Sequence, residues 1–94
     1  MQIIVTSNTQ EDSLTPKEKQ ITSVALLNIV SLVNGLTTGK EMVMNPLPDD
    51  ALGFDIHFSH EASEEEKQNF SGRVVRQLDT FFMMAELDYS TKID

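Results

Sequence analysis

The chain has 94 residues, no cysteine, an apolar content of 39% and a formal charge of −8. That length makes one small domain, 1–94, which buries only roughly 60–65% of its unfolded surface. The missing cysteines exclude disulfides, thiolate nucleophiles and cysteine-bound zinc, a composition that suits the cytoplasm. Eight acids and no Lys or Arg lie between Glu41 and Glu66, while the other seven acids balance seven bases. The sign is wrong for direct binding to nucleic acid, because affinity for a phosphate backbone comes from Lys and Arg displacing counterions.

The first ten residues, MQIIVTSNTQ, hold no basic stretch and no long apolar run, so no secretory leader is expected. Gln2 to Thr6 is short and β-branched and predicts a strand. Ser7 to Leu14 is a polar connector.

The first helix has strong start signals. Thr15 serves as N-cap, Pro16 takes the first helical position and Glu18 completes a T-x-x-E capping box. On a helical wheel Ile21, Ala25, Ile29, Leu32, Val33 and Leu36 fall on one side, with Leu26 and Val30 at its edge. This predicts them as the inward stripe. Gly35 or Gly39 ends the helix. No charged residue occurs from Ile21 to Gly39. The other face carries Ser23, Asn28, Ser31 and Asn34, interrupted by Val24 and Leu27. The stretch is short of the ~20 predominantly apolar residues of a membrane span and is studded with Asn and Ser. Burial under another layer or contact with a second subunit are the two readings of so uncharged a back.

Glu41 to Met44 predicts a second strand stopped by Pro46 and Pro48. Asp49 to Gly53 is turn chemistry. Phe54 to Phe58 alternates, with Phe54, Ile56 and Phe58 toward the core and Asp55 and His57 toward water. Ser63 to Glu66 is a second capping box, and its three glutamates complement the positive end of the helix dipole. Phe70, Val74, Val75, Leu78, Phe81, Phe82 and Ala85 form the inward stripe of that helix, with Arg73, Arg76 and Asp79 outward. Met83, Met84 and Leu87 fall off the stripe, and 89–94 reads as a loose tail after an ordered core of 1–88.

The order β-α-β-β-α predicts an α+β domain of two layers, a three-stranded mixed sheet with both helices packed on one face. The second and third strands form an antiparallel hairpin. The first strand needs the helix as its crossover, which makes it parallel to its neighbour if it pairs with the second strand.

The spacing of possible reactive groups favours no catalysis. His57 and His60 would project to opposite faces of a continuing strand and share no metal; only a sharp turn at Ser59 would let His57, His60 and Glu61 converge. No nucleophile elbow, phosphate loop or calcium loop is present. The expectation is a cytoplasmic, non-catalytic binding or regulatory protein without metal or cofactor. Its acidic face of Asp49, Asp50, Asp55, Glu61, Glu64, Glu65 and Glu66 would dock on a basic partner surface, as an inhibitor or nucleic-acid mimic does. A homodimer is expected through Leu27, Ser31 and Asn34 or through Met83, Met84 and Leu87. A subunit whose main act is self-association is the alternative, and no contact with a membrane is expected.

The strand–helix–hairpin–helix order, with Met1 to Thr6 as first strand and "ASEEEKQNFS" opening the last helix, resembles the DinI-like family. These are small acidic proteins that modulate recombinase filaments in the DNA-damage response. The likeness covers under a fifth of the chain. The loop from Asn45 to Gly53 and the lack of a tryptophan late in the second helix depart from it. It implies a modulator of a DNA-repair protein and assigns no residue a role.

Overall fold

A computed structural model describes residues 1–9, 14–49 and 51–94. Six elements follow in order: β1 (Gln2–Ser7), α1 (Pro16–Thr37), β2 (Met42–Pro46), β3 (Leu52–Phe58), α2 (Glu64–Met84) and β4 (Tyr89–Ile93). The α+β class and the two helices are as expected from the sequence, but the sheet has four strands in the order β2-β3-β1-β4, every pair antiparallel. This is the split β-α-β, ferredoxin-like arrangement. β1 runs in the same direction as β2 but does not pair with it, because β3 sits between them. The sheet is therefore not mixed, since the hairpin reverses the chain before it reaches β1.

The supposed loose tail 89–94 is β4, paired with β1 from Ile3↔Ile93 to Ser7↔Tyr89. β4 also carries the chain beyond the strand–helix–hairpin–helix order on which the DinI-like resemblance rests. Its approach is set by a Schellman closure of α2. The Leu87 N–H donates to the Phe82 carbonyl at 2.8 Å and the Glu86 N–H to that of Met83 at 3.2 Å. Glu86 takes the left-handed conformation, φ 58°. Tyr89 then lays its ring against Phe82, centroids 5.7 Å apart. Asn8 and Asp88 join the strand ends through backbone and side chain, both at 2.9 Å.

Strand alternation sends one row of each strand toward the helices. Ile3, Val5, Leu52, Phe54, Ile56 and Tyr89 meet Leu26, Val30 and Val33 of α1 and Phe70, Val74, Leu78 and Phe82 of α2. Phe58 and Phe70 meet edge to face at 5.8 Å. The inward stripe of α2 is as expected in Phe70, Val74, Leu78 and Phe82; Val75 and Phe81 are half-buried and Ala85 is exposed.

α1 differs more. Both capping boxes form, with Thr15 and Ser63 as N-caps. The buried face of α1, however, is Thr22, Leu26, Val30, Val33 and Asn34. Ile21, Leu32 and Leu36, expected inside, are 61%, 64% and 61% exposed. The helix is turned roughly a quarter of a revolution from its expected setting. No charge lies between Ile21 and Gly39 to mark the wet side, so the wheel alone could not orient it.

By length and composition α1 is also the one helix among the described residues long and apolar enough to cross a membrane. Here it lies across the sheet, with Leu26, Val30 and Val33 in the core.

Two backbone positions make opposite predictions. Gly53 has φ 135°, and a Cβ there would stand 2.0 Å from the Ile3 carbonyl oxygen. Gly53→Ala is expected to cost at least about 2–3 kcal/mol, or to prevent folding. Glu86→Gly relieves a left-handed side-chain residue and is expected to stabilise by about 1 kcal/mol. Urea unfolding of the two variants checks both signs, and a stable Gly53→Ala protein would contradict the β1–β3 register.

Candidate functional site

The acidic residues singled out from the sequence do not form one surface. β3 spans seven residues, so its two ends are roughly 20 Å apart. Asp49 is exposed in the loop before β3, with φ 62°; its neighbour Asp50 lies outside the described residues. Glu61, Glu64, Glu65 and Glu66 follow β3 and sit at the far end of the sheet. Asp55 lies between, on the sheet face away from the helices, across the ladder from Gln2 and Asn45.

Chain connectivity adds acids to the far end that sequence proximity alone would not gather. The Ser59 N–H donates to the Glu41 carbonyl at 2.9 Å, bringing Glu41 beside the start of the β3–α2 loop. Asp94 pairs with Gln2 through both backbone groups, at 3.0 and 2.9 Å. It is thus two strands from Asp55, roughly 10 Å. Lys40 and Lys67 are nearby cations, and the Met1 ammonium lies 3.5 Å from the Ile56 carbonyl at the same end. Lys67 Nζ reaches Glu64 Oε1 at 3.8 Å, an exposed pair worth little. Glu61 and Glu65 are exposed.

Glu66 has structural work. Its carboxylate accepts the Ser63 N–H at 3.0 Å, while the Ser63 hydroxyl accepts the Glu66 N–H at 3.1 Å. The Ser63 backbone bond holds the Glu66 carboxyl below the usual glutamate value, with lesser help from the Ser63 hydroxyl and the Lys40 ammonium. Glu18 is lowered in the same way by the backbone and hydroxyl of Thr15.

The opposite-face expectation for the two histidines holds only for a continuing strand. The strand ends at Phe58, and the bend that follows lets His57 and His60 line the same hollow of about 240 Å³, with Met1, Glu61, Ala62 and Lys67. His57 Nε2 lies 3.4 Å from Asp55 Oδ2. Among the described residues no three His, Asp or Glu side chains are placed to hold a metal ion together. A larger open groove of about 450 Å³ runs between the first turns of α1 and the β2–β3 loop, lined by Lys19, Gln20, Leu47 and Asp49 among others.

The residues singled out for self-association also separate. Leu27 and Ser31 are exposed on α1. Asn34 is buried and belongs to the helix end. Its Nδ2 donates to the Lys40 carbonyl at 2.8 Å, its Oδ1 accepts the Thr38 hydroxyl, and its carbonyl accepts the N–H groups of Thr38 and Gly39. Met83 and Met84 are 72% and 78% exposed, but Leu87 packs against the core.

The sequence marks the uncharged back of α1 but places only Val24 and Leu27 of its large apolar residues there, with Ile21, Leu32 and Leu36 expected inside. Ile21, Val24, Leu27, Leu32 and Leu36 are all exposed along it, with Asn28, Ser31 and Gly35 between them. The absence of charge from Ile21 to Gly39 was the signal.

Neither family models, curated proteins nor solved structures provide a match to this chain.

The capping glutamates set a pH dependence. Their pKa values are lower in the folded than in the unfolded chain. Their stabilisation is therefore present above the ordinary glutamate pKa, about 4.3, and is lost as pH falls through the depressed folded values. Glutamine keeps the capping geometry without titrating. Between pH 6 and pH 3 the melting temperature of the native chain should therefore fall relative to that of the Glu18→Gln/Glu66→Gln variant. Parallel profiles across that range would show that the two carboxylates contribute no linkage.

Proposed function

We propose that the protein is a small acidic, non-catalytic binding protein that docks the far end of its sheet on a basic partner surface. The observation that carries this reading is the gathering of Glu41, Glu61, Glu64, Glu65 and Glu66 at that end, against Lys40 and Lys67, with Asp55 and Asp94 adding charge on the adjoining open face of the sheet. Fields from clustered like charges steer an oppositely charged partner and raise the association rate. The groups are largely exposed, so the surface meets its partner without rearrangement. A partner that ordinarily holds nucleic acid presents the complementary pattern of Lys and Arg, which fits an inhibitor or regulator of such a protein. Asp49 is not part of this surface, because β3 holds it at the opposite end. Glu66 contributes charge but also caps α2.

Replacing Glu66 would confound docking with folding, so the test spares it. The chain is immobilised and exposed to an extract of its native cells, and the proteins retained by the native sequence are compared with those retained by Glu61→Lys/Glu65→Lys. Loss of a specific basic protein from the variant is expected, with retention by Asp49→Lys. Association with that protein should slow about tenfold or more between low salt and about 0.5 M, where the screening length falls below ~5 Å. Binding indifferent to both salt and charge reversal would sink the reading.

A further inference from the structure

The outer face of α1 belongs to a different kind of contact. We infer that it is the interface of a two-fold symmetric homodimer in which α1 packs antiparallel on the α1 of a second copy, with Asn28 at the axis.

Three observations lead there. The first is the amount of apolar surface. Ile21, Val24, Leu32 and Leu36 are 58–64% exposed and Leu27 39%. Five large apolar side chains on one face amount to several hundred Å², the size at which a patch on a monomer marks an interaction site. With Asn28, Ser31 and Gly35 between them, the face approaches the ~800 Å² per partner of a standard interface.

The second is charge. The chain carries −8, and no charged residue occurs from Ile21 to Gly39. Two copies repel wherever their acidic surfaces meet, and this uncharged face is where they approach without that cost. A membrane surface is a poorer occupant. Helices that lie on anionic bilayers carry Lys and Arg along their polar face, and a strongly acidic protein is repelled by such lipids.

The third is the spacing, which reads alike in both directions about Asn28. Val24 lies four residues before it and Leu32 four after; Ile21 lies seven before and Leu36 eight after. An antiparallel pair of helices with its axis at Asn28 therefore sets Val24 against the partner's Leu32 and Ile21 against the partner's Leu36. This is the self-complementary pattern that an isologous contact requires. Ser31 and Gly35 are small and let the helices approach, and the space outward of Gly35 is open. At the axis the two Asn28 amides meet, where each can donate to the other and hold the register, as a buried asparagine does in a coiled coil.

The full chain tests this. Sedimentation equilibrium at about 100 µM should give about twice the 10.6 kDa monomer mass. Dimerisation should tighten with added salt, because screening removes the repulsion of like net charges while the apolar contact is unaffected. This response is opposite in sign to that of the acidic end. Leu32→Glu, folded by circular dichroism, should weaken the dimer at least about a hundredfold, whereas Glu61→Lys/Glu65→Lys should leave it intact. The native chain has no cysteine, so Asn28→Cys offers a second reading that does not depend on destabilising anything. It should form an intermolecular disulfide on mild oxidation, while Gln77→Cys, exposed on α2, should not. A monomer at that concentration, a dimer that survives Leu32→Glu, or a dimer that Asn28→Cys fails to link would each overturn the inference. Co-sedimentation of a monomeric chain with vesicles of zwitterionic and anionic lipid would overturn it in favour of a membrane surface.

Discussion

Asn34 decides which way α1 faces, and the character of the protein's surface follows from that. Its side chain and carbonyl together hold Thr38, Gly39 and Lys40, and it is buried while doing so. A buried amide is tolerable only with its hydrogen bonds made, because an unmet polar group costs about 1–3 kcal/mol. With Asn34 inside, Leu26, Val30 and Val33 follow it into the core by helical spacing. The opposite setting would bury Asn28, Ser31 and Gly35 along the middle of the face, two polar groups and a missing side chain where the sheet needs packing. The cost of the setting adopted is that Ile21, Val24, Leu32 and Leu36 remain outside.

The surface is thus segregated into two chemistries that respond oppositely to ions. The end of the sheet after β3 gathers like charges, while the outer face of α1 has none from Ile21 to its end. α1 is 22 residues long, or about 33 Å, and its C-terminus lies at the acidic end. An antiparallel dimer through α1 would therefore carry its two acidic ends on opposite sides, roughly 30 Å or more apart. Such a dimer could engage two sites on one basic assembly, or two partners, and would gain avidity only where their spacing matched.

What was legible in the sequence was local. Both capping boxes, the β-branched first strand, the alternation through Phe54, Ile56 and Phe58 and the centre of the α2 stripe at Phe70, Val74, Leu78 and Phe82 rest on neighbouring residues, and they form. What was not legible required distant partners. Tyr89, Thr91 and Ile93 alternate as a strand should, but five residues at the end of the chain carry little signal, and their partner is β1, more than eighty residues earlier. The closure that aims them at β1 uses Glu86 in a conformation where glycine is the expected residue, so it left no recognisable mark. The acidic window read as one surface because its residues are contiguous in sequence. The length of β3 separates Asp49 from Glu61, and the β-ladder brings Asp94 toward Asp55 instead. Likewise, parity along a strand put His57 and His60 on opposite sides, but parity ceases to apply once the strand ends at Phe58.

The sheet itself offers poor routes to self-association. Its edges are β2 and β4, and an exposed edge ordinarily invites pairing with another chain. β2 is short and ends on Pro46, which has no N–H to offer a further strand. β4 is equally short and carries Lys92. The open face of the sheet, with Gln2, Asp55, His57, Ser90 and Lys92, is mostly polar and holds charges of both signs, with Val43 and Ile4 its apolar members. Edges and open face therefore both discourage a second copy. The helical layer carries the opposite design, since a protein with so small a core would gain stability from every large apolar side chain it could bury. Leaving five of them along one uncharged face of α1 is costly for a monomer and becomes favourable once that face is covered.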